Sequence, residues 1–159
     1  MIAGDRVRVQ TFVAVALADA FAVFTEDIDQ WWRRGPAYRI GGRSPSIVHL
    51  EPRLGGRVFE ATDDGVVLHE MGRITAWDPP AHLAFEWRGV NFAPGEVTTV
   101  ELWFEARGDG TRVTLEHRGF AALRPDHPVR HDQPVVEFIG RLGTWWGAQL
   151  TSLRERAEP

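Results

Sequence analysis

The C-terminal segment from Pro134 to Pro159 constrains the fold more than any other part of this sequence. Its apolar side chains recur with a period near 3.6 residues, which predicts one long amphipathic helix lying on a core. The apolar arc consists of Val135, Phe138, Ile139, Leu142, Trp145, Trp146, Leu150 and Leu153. The opposite side carries Glu137, Arg141, Thr144, Ser152 and Glu155.

The region before this helix has the alternation and the turn signals of an antiparallel sheet. The pattern predicts a first strand in 6–15, then a short helix capped by Asp19 and a second short helix around 28–33. Further strands are predicted over 46–51, 56–62, 66–77, 82–88, 97–107 and 111–118. Turns such as Gly108-Asp109-Gly110 separate them. We therefore predict one α+β domain over residues 1–159, with a curved antiparallel sheet of about seven strands wrapped around the C-terminal helix.

Several motifs in this order resemble a known superfamily. They are Gly55-Gly56-Arg57-Val58-Phe59, Gly72-Arg73-Ile74 with Trp77-Asp78-Pro79-Pro80, Leu83-Ala84-Phe85-Glu86-Trp87, the run from Gly110 to Phe120, and the spacing of Trp146, Leu150 and Leu153. Together they resemble the START-like, Bet v 1-like and polyketide-cyclase-like domains (SRPBCC). More narrowly, they resemble the branch named after the C-terminal domain of the activator of Hsp90 ATPase. The resemblance implies the helix-grip fold and covers nearly the whole chain, but such a fold serves many functions.

Composition excludes several classes of function. The net charge is −4 and the basic residues, all of them Arg, are scattered, which argues against a nucleic-acid surface. No cysteine is present, so disulfides, thiolate nucleophiles and Cys-based metal sites are excluded, which suits a cytoplasmic protein. Residues Met1 to Arg8 lack the pattern of a signal peptide, and no apolar run approaches the ~20 residues that cross a bilayer. No membrane partner and no cofactor are expected.

The aromatic content predicts a lined pocket between the sheet and the C-terminal helix. The chain has seven Trp and nine Phe residues, and large rings leave irregular gaps when a sheet packs on one helix. A core filled completely by rings is the alternative. The predicted ligand-binding residues are Trp32, Glu70, Phe85, Trp87, His117, Phe138, Leu142, Trp145, Trp146 and Gln149. The expected ligand is a small, largely hydrophobic or aromatic molecule.

Glu70, His117 and Gln149 are the polar members of this predicted pocket. Glu70 shares a strand face with Leu68 and Ile74, so an inward carboxylate with a raised pKa is expected. If the strand is bulged, His69, Met71 and Arg73 face inward instead. Glu70 and His117 are weak candidates for a general acid or base. Gln149 needs a hydrogen-bond partner, which is a ligand, a water or another protein group.

Two further features have alternative interpretations. His127 and His131, with neighbouring aspartates, imitate a metal site, but Pro128 opposes their convergence on one ion, so we predict no metal and a loop beside the pocket. Gly140, Gly143 and Gly147 each weaken the helix by ~1 kcal/mol against Ala, which suggests close packing or a homodimer. The sequence thus predicts hydrophobic ligand binding, with a cyclase- or hydrolase-like enzyme and a chaperone-binding module as alternatives.

Overall fold

A computed structural model of the chain describes residues 6–159. Residues 1–5, which belong to the predicted domain and to the segment searched for a signal peptide, lie outside the described part. The strands are β1 (Arg6–Val13), β2 (Ile47–Leu50), β3 (Arg57–Ala61), β4 (Val67–Asp78), β5 (His82–Trp87), β6 (Thr98–Arg107) and β7 (Gly110–Arg118). The helices are α1 (Leu17–Glu26), α2 (Ile28–Trp31) and α3 (Val135–Ala157). Single 3-10 turns occupy Phe120–Ala122 and Pro128–Arg130.

The strands form one antiparallel sheet in the order β1-β7-β6-β5-β4-β3-β2. Strand β1 lies at one edge of the sheet and pairs with β7, the last strand along the chain. The helices cover one face of the sheet, and α3 packs mainly on β1. The predicted α+β helix-grip architecture is confirmed.

The space between α3 and the centre of the sheet is filled. Trp146, Leu150 and Leu153 are buried on the sheet side of α3, and they meet the alternate apolar residues of β6 and β7. Val100, Leu102 and Phe104 alternate along β6 and are all buried, so they form its inner face. The rings therefore pack as a solid core in the middle of the molecule.

The expectation that Asp19 caps the first helix is wrong. Helix α1 begins at Leu17 with Ala16 at the N-cap position, so Asp19 lies inside the first turn, where its charge favours the helix dipole without capping. Thr114 and Glu116 lie on the outward face of β7 but are buried, since Gln10 and Arg6 of the neighbouring β1 cover them through hydrogen bonds.

Strand β4 does not keep the predicted alternation. Its pairing with β3 shifts register between Val58 and Phe59 and again between Glu60 and Ala61, so extra residues are inserted on β4. Each insertion exchanges the inner and outer faces of the strand. As a result Leu68 is 39 % exposed, Met71 is buried and Ile74 is buried.

The register shifts also move Glu70 away from the interior. Its side chain is 38 % exposed and forms an ion pair with Arg73 at 3.4 Å. The expectation of a desolvated inner carboxylate at Glu70 is wrong. The bulged alternative is correct for His69 and Met71 but not for Arg73, which is exposed.

The three helix glycines have different surroundings. A Cβ atom at Gly143 would lie 3.2 Å from Val7 of β1, so this glycine permits close packing of α3 on the sheet. Gly140 and Gly147 have no described atom within 4 Å of an added Cβ. A homodimer through that side stays a prediction. None of the helices within residues 6–159 has the length and apolarity needed to cross a membrane.

Candidate functional site

A cavity of about 480 Å³ lies beside the N-terminal half of α3, at the end of the sheet where β5 and β7 finish. Its walls come from α3, from these two strands, from the segment before β2 and from the connection after β7. The lining residues are Tyr38, Trp87, His117, Phe120, Val129, His131, Phe138, Arg141, Leu142, Thr144, Trp145, Trp146 and Ala148. The cavity is therefore at one end of the core and not under the middle of α3.

Helix α3 presents a single stripe to this cavity. Counted from Phe138 as i, the residues Arg141, Leu142, Trp145 and Ala148 are i+3, i+4, i+7 and i+10, which places them along one side of a helix. The stripe lies on the flank of the apolar arc, next to the core residues Trp146 and Leu150. A flanking stripe of this kind combines large apolar side chains with the guanidinium of Arg141 near the solvent.

His117 lies at the inner end of the cavity and uses both ring nitrogens. Its Nδ1 accepts the indole N–H of Trp146 at 3.1 Å. Its Nε2 is 2.8 Å from the Thr98 hydroxyl, which itself donates to the Trp87 carbonyl at 3.0 Å. Because the Thr98 hydroxyl donates its proton to the Trp87 carbonyl, it can only accept from His117. The neutral imidazole therefore carries its proton on Nε2 and donates this N–H to the Thr98 oxygen.

Complete burial lowers the pKa of His117 to about 3. A second ring proton would occupy Nδ1 and break the hydrogen bond with Trp146. The imidazole therefore has no free lone pair for a general base and no free proton for a general acid near neutral pH. Its geometry serves to join Trp87, Thr98 and Trp146 at the back of the cavity.

Three predicted ligand-binding residues lie behind the cavity wall. Trp32 is buried among Trp87, Trp145 and Trp146, with ring centroids about 6 Å apart, and its indole N–H bonds to the Tyr38 carbonyl at 3.0 Å. Phe85 is fully buried in the core. Gln149 is also buried, and its Oε1 accepts the Arg33 amide at 2.9 Å. Glu70 does not line the cavity. Trp87, His117, Phe138, Leu142, Trp145 and Trp146 do line the cavity.

Tyr38 belongs to a segment that Arg39 holds in place. The buried Arg39 guanidinium donates to Asp29 at 2.6 Å and to the Trp32 carbonyl at 2.6 Å. Burial raises the pKa of Asp29, but hydrogen bonds from the Val48 amide and Arg39 outweigh burial and keep the pKa below its ordinary value. This ion pair fixes the backbone next to Tyr38. The Tyr38 ring stacks against the Trp145 ring, and the two ring centroids are 5.4 Å apart.

The connection after β7 is held by His127. This buried side chain donates Nε2–H to Glu96 at 3.0 Å and accepts the Val129 amide on Nδ1 at 3.0 Å. The hydrogen bond from the Ala93 amide, followed by the charge of Arg124 and the hydrogen bond from His127, lowers the pKa of Glu96. Both nitrogens of His127 are thus used to position the cavity wall at Val129. No group of metal-binding side chains occurs in residues 6–159.

Sequence reasoning missed the lining residues that belong to irregular segments. Tyr38, Val129 and His131 have no periodic pattern, so no face could be assigned to them. Arg141 and Thr144 were assigned to the polar side of the helix, although they border the cavity. The signal that could have found them is the i, i+3, i+4 spacing of Arg141 with Phe138 and Trp145.

Comparison with known proteins identifies the family. The family model described as Activator of Hsp90 ATPase homolog 1-like protein matches residues 14–155. The chain belongs to this family. The resemblance to SRPBCC domains and to this branch is thereby confirmed. The comparison with curated proteins gave no match.

Solved structures similar to this Activator of Hsp90 ATPase homolog 1-like chain have related folds. A protein from Chromobacterium violaceum is 14 % identical with a TM-score of 0.66, and 98 % of each chain is covered. The Aha1 dimer from Colwellia psychrerythraea is 15 % identical with a TM-score of 0.58, covering 99 % of this chain and 97 % of that one. The anthrahydroquino-gamma-pyrone synthase Txn09, solved in complex with SUM, is 25 % identical with a TM-score of 0.56, covering 97 % and 99 %.

Proposed function

We propose that this protein binds a small, largely apolar aromatic molecule in the cavity beside α3. The observation that carries the proposal is the cavity itself, about 480 Å³ and lined mainly by aromatic and aliphatic side chains. Small-molecule sites commonly have volumes of about 300–1,000 Å³ and this type of lining. Binding would be driven by burial of apolar ligand surface against Trp87, Phe138, Leu142 and Trp145.

The polar side chains at the cavity favour one orientation of such a ligand. Arg141 and Thr144 are exposed on the α3 side, whereas the opposite, inner end is formed by His117 and Trp146. His117 has both nitrogens occupied, so the inner end offers a ring surface without a free hydrogen-bonding group. An apolar ring would therefore enter first, with an anionic substituent, where the ligand has one, left near Arg141.

Polycyclic aromatic compounds are the ligand class that we propose to test first. Txn09, an anthrahydroquino-gamma-pyrone synthase, is similar to this chain at 25 % identity over nearly its whole length. The geometry does not favour an acid–base enzyme built on the predicted candidates. Glu70 lies outside the cavity, and the hydrogen bonds of His117 leave it no proton to exchange. The chaperone-binding alternative stays a prediction.

A fluorescence titration with anthraquinone sulfonate tests the proposal. Trp87 and Trp145 lie in the wall, so a bound quinone should quench the intrinsic fluorescence in a saturable way. The Ala148→Phe variant places a ring in the cavity and should weaken binding at least ~10-fold, a loss of about 1.4 kcal/mol. Val136→Phe is the matched control, because Val136 lies on the same helix, is 82 % exposed and does not line the cavity.

Two results would contradict the proposal. The first is the absence of saturable quenching by any probe in a panel of two- to four-ring aromatic compounds. The second is equal affinity in folded Ala148→Phe and Val136→Phe proteins, because binding at the cavity requires that only the first substitution interfere. Circular dichroism and thermal unfolding of both variants establish that they are folded.

A further inference from the structure

A second, smaller cavity of about 170 Å³ adjoins the large cavity. Tyr38, Trp87 and Trp145 line both cavities, so the two cavities meet at these side chains. The small cavity is also lined by Glu60, His69 and Met71. Its chemistry differs from that of the large cavity, because it places a buried carboxylate among aromatic rings.

Glu60 is the buried carboxylate in this small cavity. The residue is 2 % exposed, and its two oxygens accept the backbone amides of Ile40 at 2.8 Å and Gly41 at 2.7 Å. Acceptance at both oxygens is the pattern of an ionised carboxylate. Within residues 6–159, Glu60 forms no ion pair with an arginine or histidine. A buried negative charge without a cation is costly, so this carboxylate lacks a partner of opposite charge.

His69 adds a second hydrogen-bond acceptor next to Glu60. The two residues are directly opposite each other in the β3–β4 pairing. The Nε2 atom of His69 is 2.7 Å from the Arg88 carbonyl, which can only accept, so Nε2 carries the proton. In the neutral ring Nδ1 is then an acceptor. Both polar side chains of the β3–β4 wall therefore favour a hydrogen-bond donor as their guest.

The arginines near the small cavity do not neutralise Glu60. Arg39 gives its guanidinium protons to Asp29 and to the carbonyls of Trp32, Arg33 and Ser46. The Arg88 side chain lies 3.8 Å from Glu86, a residue of β5. Asp29 also pairs with Arg34, at 3.2 Å. Neither the Arg39 nor the Arg88 guanidinium forms an ion pair with Glu60, so no cation of the described residues contacts this carboxylate.

We propose that this small cavity binds a protonated amine carried by the ligand. A carboxylate, an imidazole and three aromatic rings form an environment that attracts an ammonium group through charge-assisted hydrogen bonds and cation–π contacts. The inference rests on the proposed function, because Tyr38, Trp87 and Trp145 would contact both the aromatic part and the ammonium part of the ligand. The ligand class becomes an aromatic molecule with a basic amine substituent.

A pair of matched probes tests this proposal in the wild-type protein. Naphthylmethylammonium and ethylnaphthalene have the same shape, but only the first carries a charge and N–H donors. Isothermal titration calorimetry near neutral pH should give an affinity for the amine at least ~10-fold above that of the hydrocarbon. Methylammonium chloride should compete with the amine and should not compete with the hydrocarbon.

Variants assign the preference to Glu60. Glu60→Gln removes the charge and should reduce the advantage of the amine to about 2-fold or less. Glu70→Gln is the matched control, because Glu70 is one strand residue beyond His69, half-exposed and outside both cavities. His69→Phe keeps a ring and removes the acceptor, so it should reduce the advantage by a smaller factor.

The outcomes separate this proposal from the proposed function. If the wild-type protein binds the amine and the hydrocarbon with equal affinity, the amine site is overturned and the proposal of hydrophobic binding stands. An amine advantage that persists in folded Glu60→Gln would also overturn it. If only the amine binds and its binding depends on Glu60, the result supports the amine site and contradicts hydrophobic binding. If neither probe binds, both proposals are overturned. If Glu60→Gln does not fold, the amine site is tested by the ratio of amine to hydrocarbon affinity in the wild type and by the decrease of that ratio in His69→Phe.

Discussion

At the residue scale, His117 shows how burial changes the use of a titratable group. Its neutral ring accepts from Trp146 and donates to Thr98, so protonation removes a hydrogen bond and buries a charge. The pKa falls from 6.5 to about 3, so the unfolded chain binds more protons than the folded one between these pH values. The contribution of His117 to the free energy of unfolding is therefore fully present above about pH 6.5, and it decreases as the pH falls.

This linkage gives a measurable pH dependence. Between about pH 7.5 and pH 5, His117 alone should lower the free energy of unfolding by about 2 kcal/mol. The window lies above the range in which most carboxylates titrate. Urea denaturation at several pH values measures the effect, and His117→Gln should lose that part of the slope. An unchanged slope in the folded variant would show that the histidine is not held neutral.

Gln149 illustrates a different residue-scale balance. Its Oε1 accepts the Arg33 amide, whereas Nε2 is buried and has no hydrogen-bond partner among the described residues. Gln149→Met removes one hydrogen bond and one unpaired amide together, so the free energy of unfolding should change by less than about 1 kcal/mol. Gln149→Ala should cost about 2–3 kcal/mol, because it also leaves a cavity.

Thermal and urea unfolding of both Gln149 variants test this balance. A cost for Gln149→Met as large as that for Gln149→Ala would mean that the amide is satisfied, for instance by a water molecule. The wild-type, Met and Ala proteins differ at a position that does not line the large cavity. Their affinities for an aromatic probe should therefore be equal.

The two carboxylates of the β3–β4 pair show what residue-level reasoning can and cannot predict. Alternation selected Glu70, but the register shifts turned it outward and placed a buried carboxylate at Glu60 instead. In β3, consecutive residues from Val58 to Ala61 are all buried, so no alternation distinguishes an inner from an outer face. A bulge depends on both strands, and a single-strand pattern does not contain it.

At the element scale, α3 anchors the segment that follows α2. Trp145 donates its indole N–H to the Ala37 carbonyl at 2.7 Å, Gln149 accepts from Arg33, and Ser152 donates to the Trp31 carbonyl at 2.6 Å. These residues are spaced by three or four positions, so one face of α3 supplies all three contacts. The helix thereby positions Tyr38 where the two cavities meet.

Removing one anchor should loosen that segment without emptying the wall. Trp145→Phe keeps an aromatic ring and removes the N–H, at a cost of about 1 kcal/mol. Hydrogen exchange measured by mass spectrometry should be faster in peptides covering residues 33–46 than in the wild type, because local opening becomes easier. Peptides from β6 and β7 serve as the internal control. Uniformly faster exchange in all peptides would contradict a local role of this hydrogen bond.

At the scale of the whole molecule, the sequence predicted the architecture more accurately than the site. Helix α3 and the strands lie within one or two residues of their predicted bounds, because hydrophobic period and turn residues are local signals. The cavity was expected under α3, where Trp146 and Leu150 in fact fill the space. Its actual place depends on how irregular segments such as the 119–133 connection pack, and no local period encodes that packing.

The glycines of α3 test whether this fold acts alone or as a pair. Gly140 and Gly147 have open space around an added Cβ, so within a single chain helix propensity alone decides the effect of Ala. Gly140→Ala and Gly147→Ala should each raise the free energy of unfolding by about 0.5–1 kcal/mol. Gly143→Ala should raise the free energy of unfolding by a smaller amount, because the added Cβ atom would lie 3.2 Å from Val7. Melting temperatures at low and high protein concentration complete the test. If a second subunit packed on this side, both open-site variants would lose stability, and the wild-type melting temperature would rise with concentration.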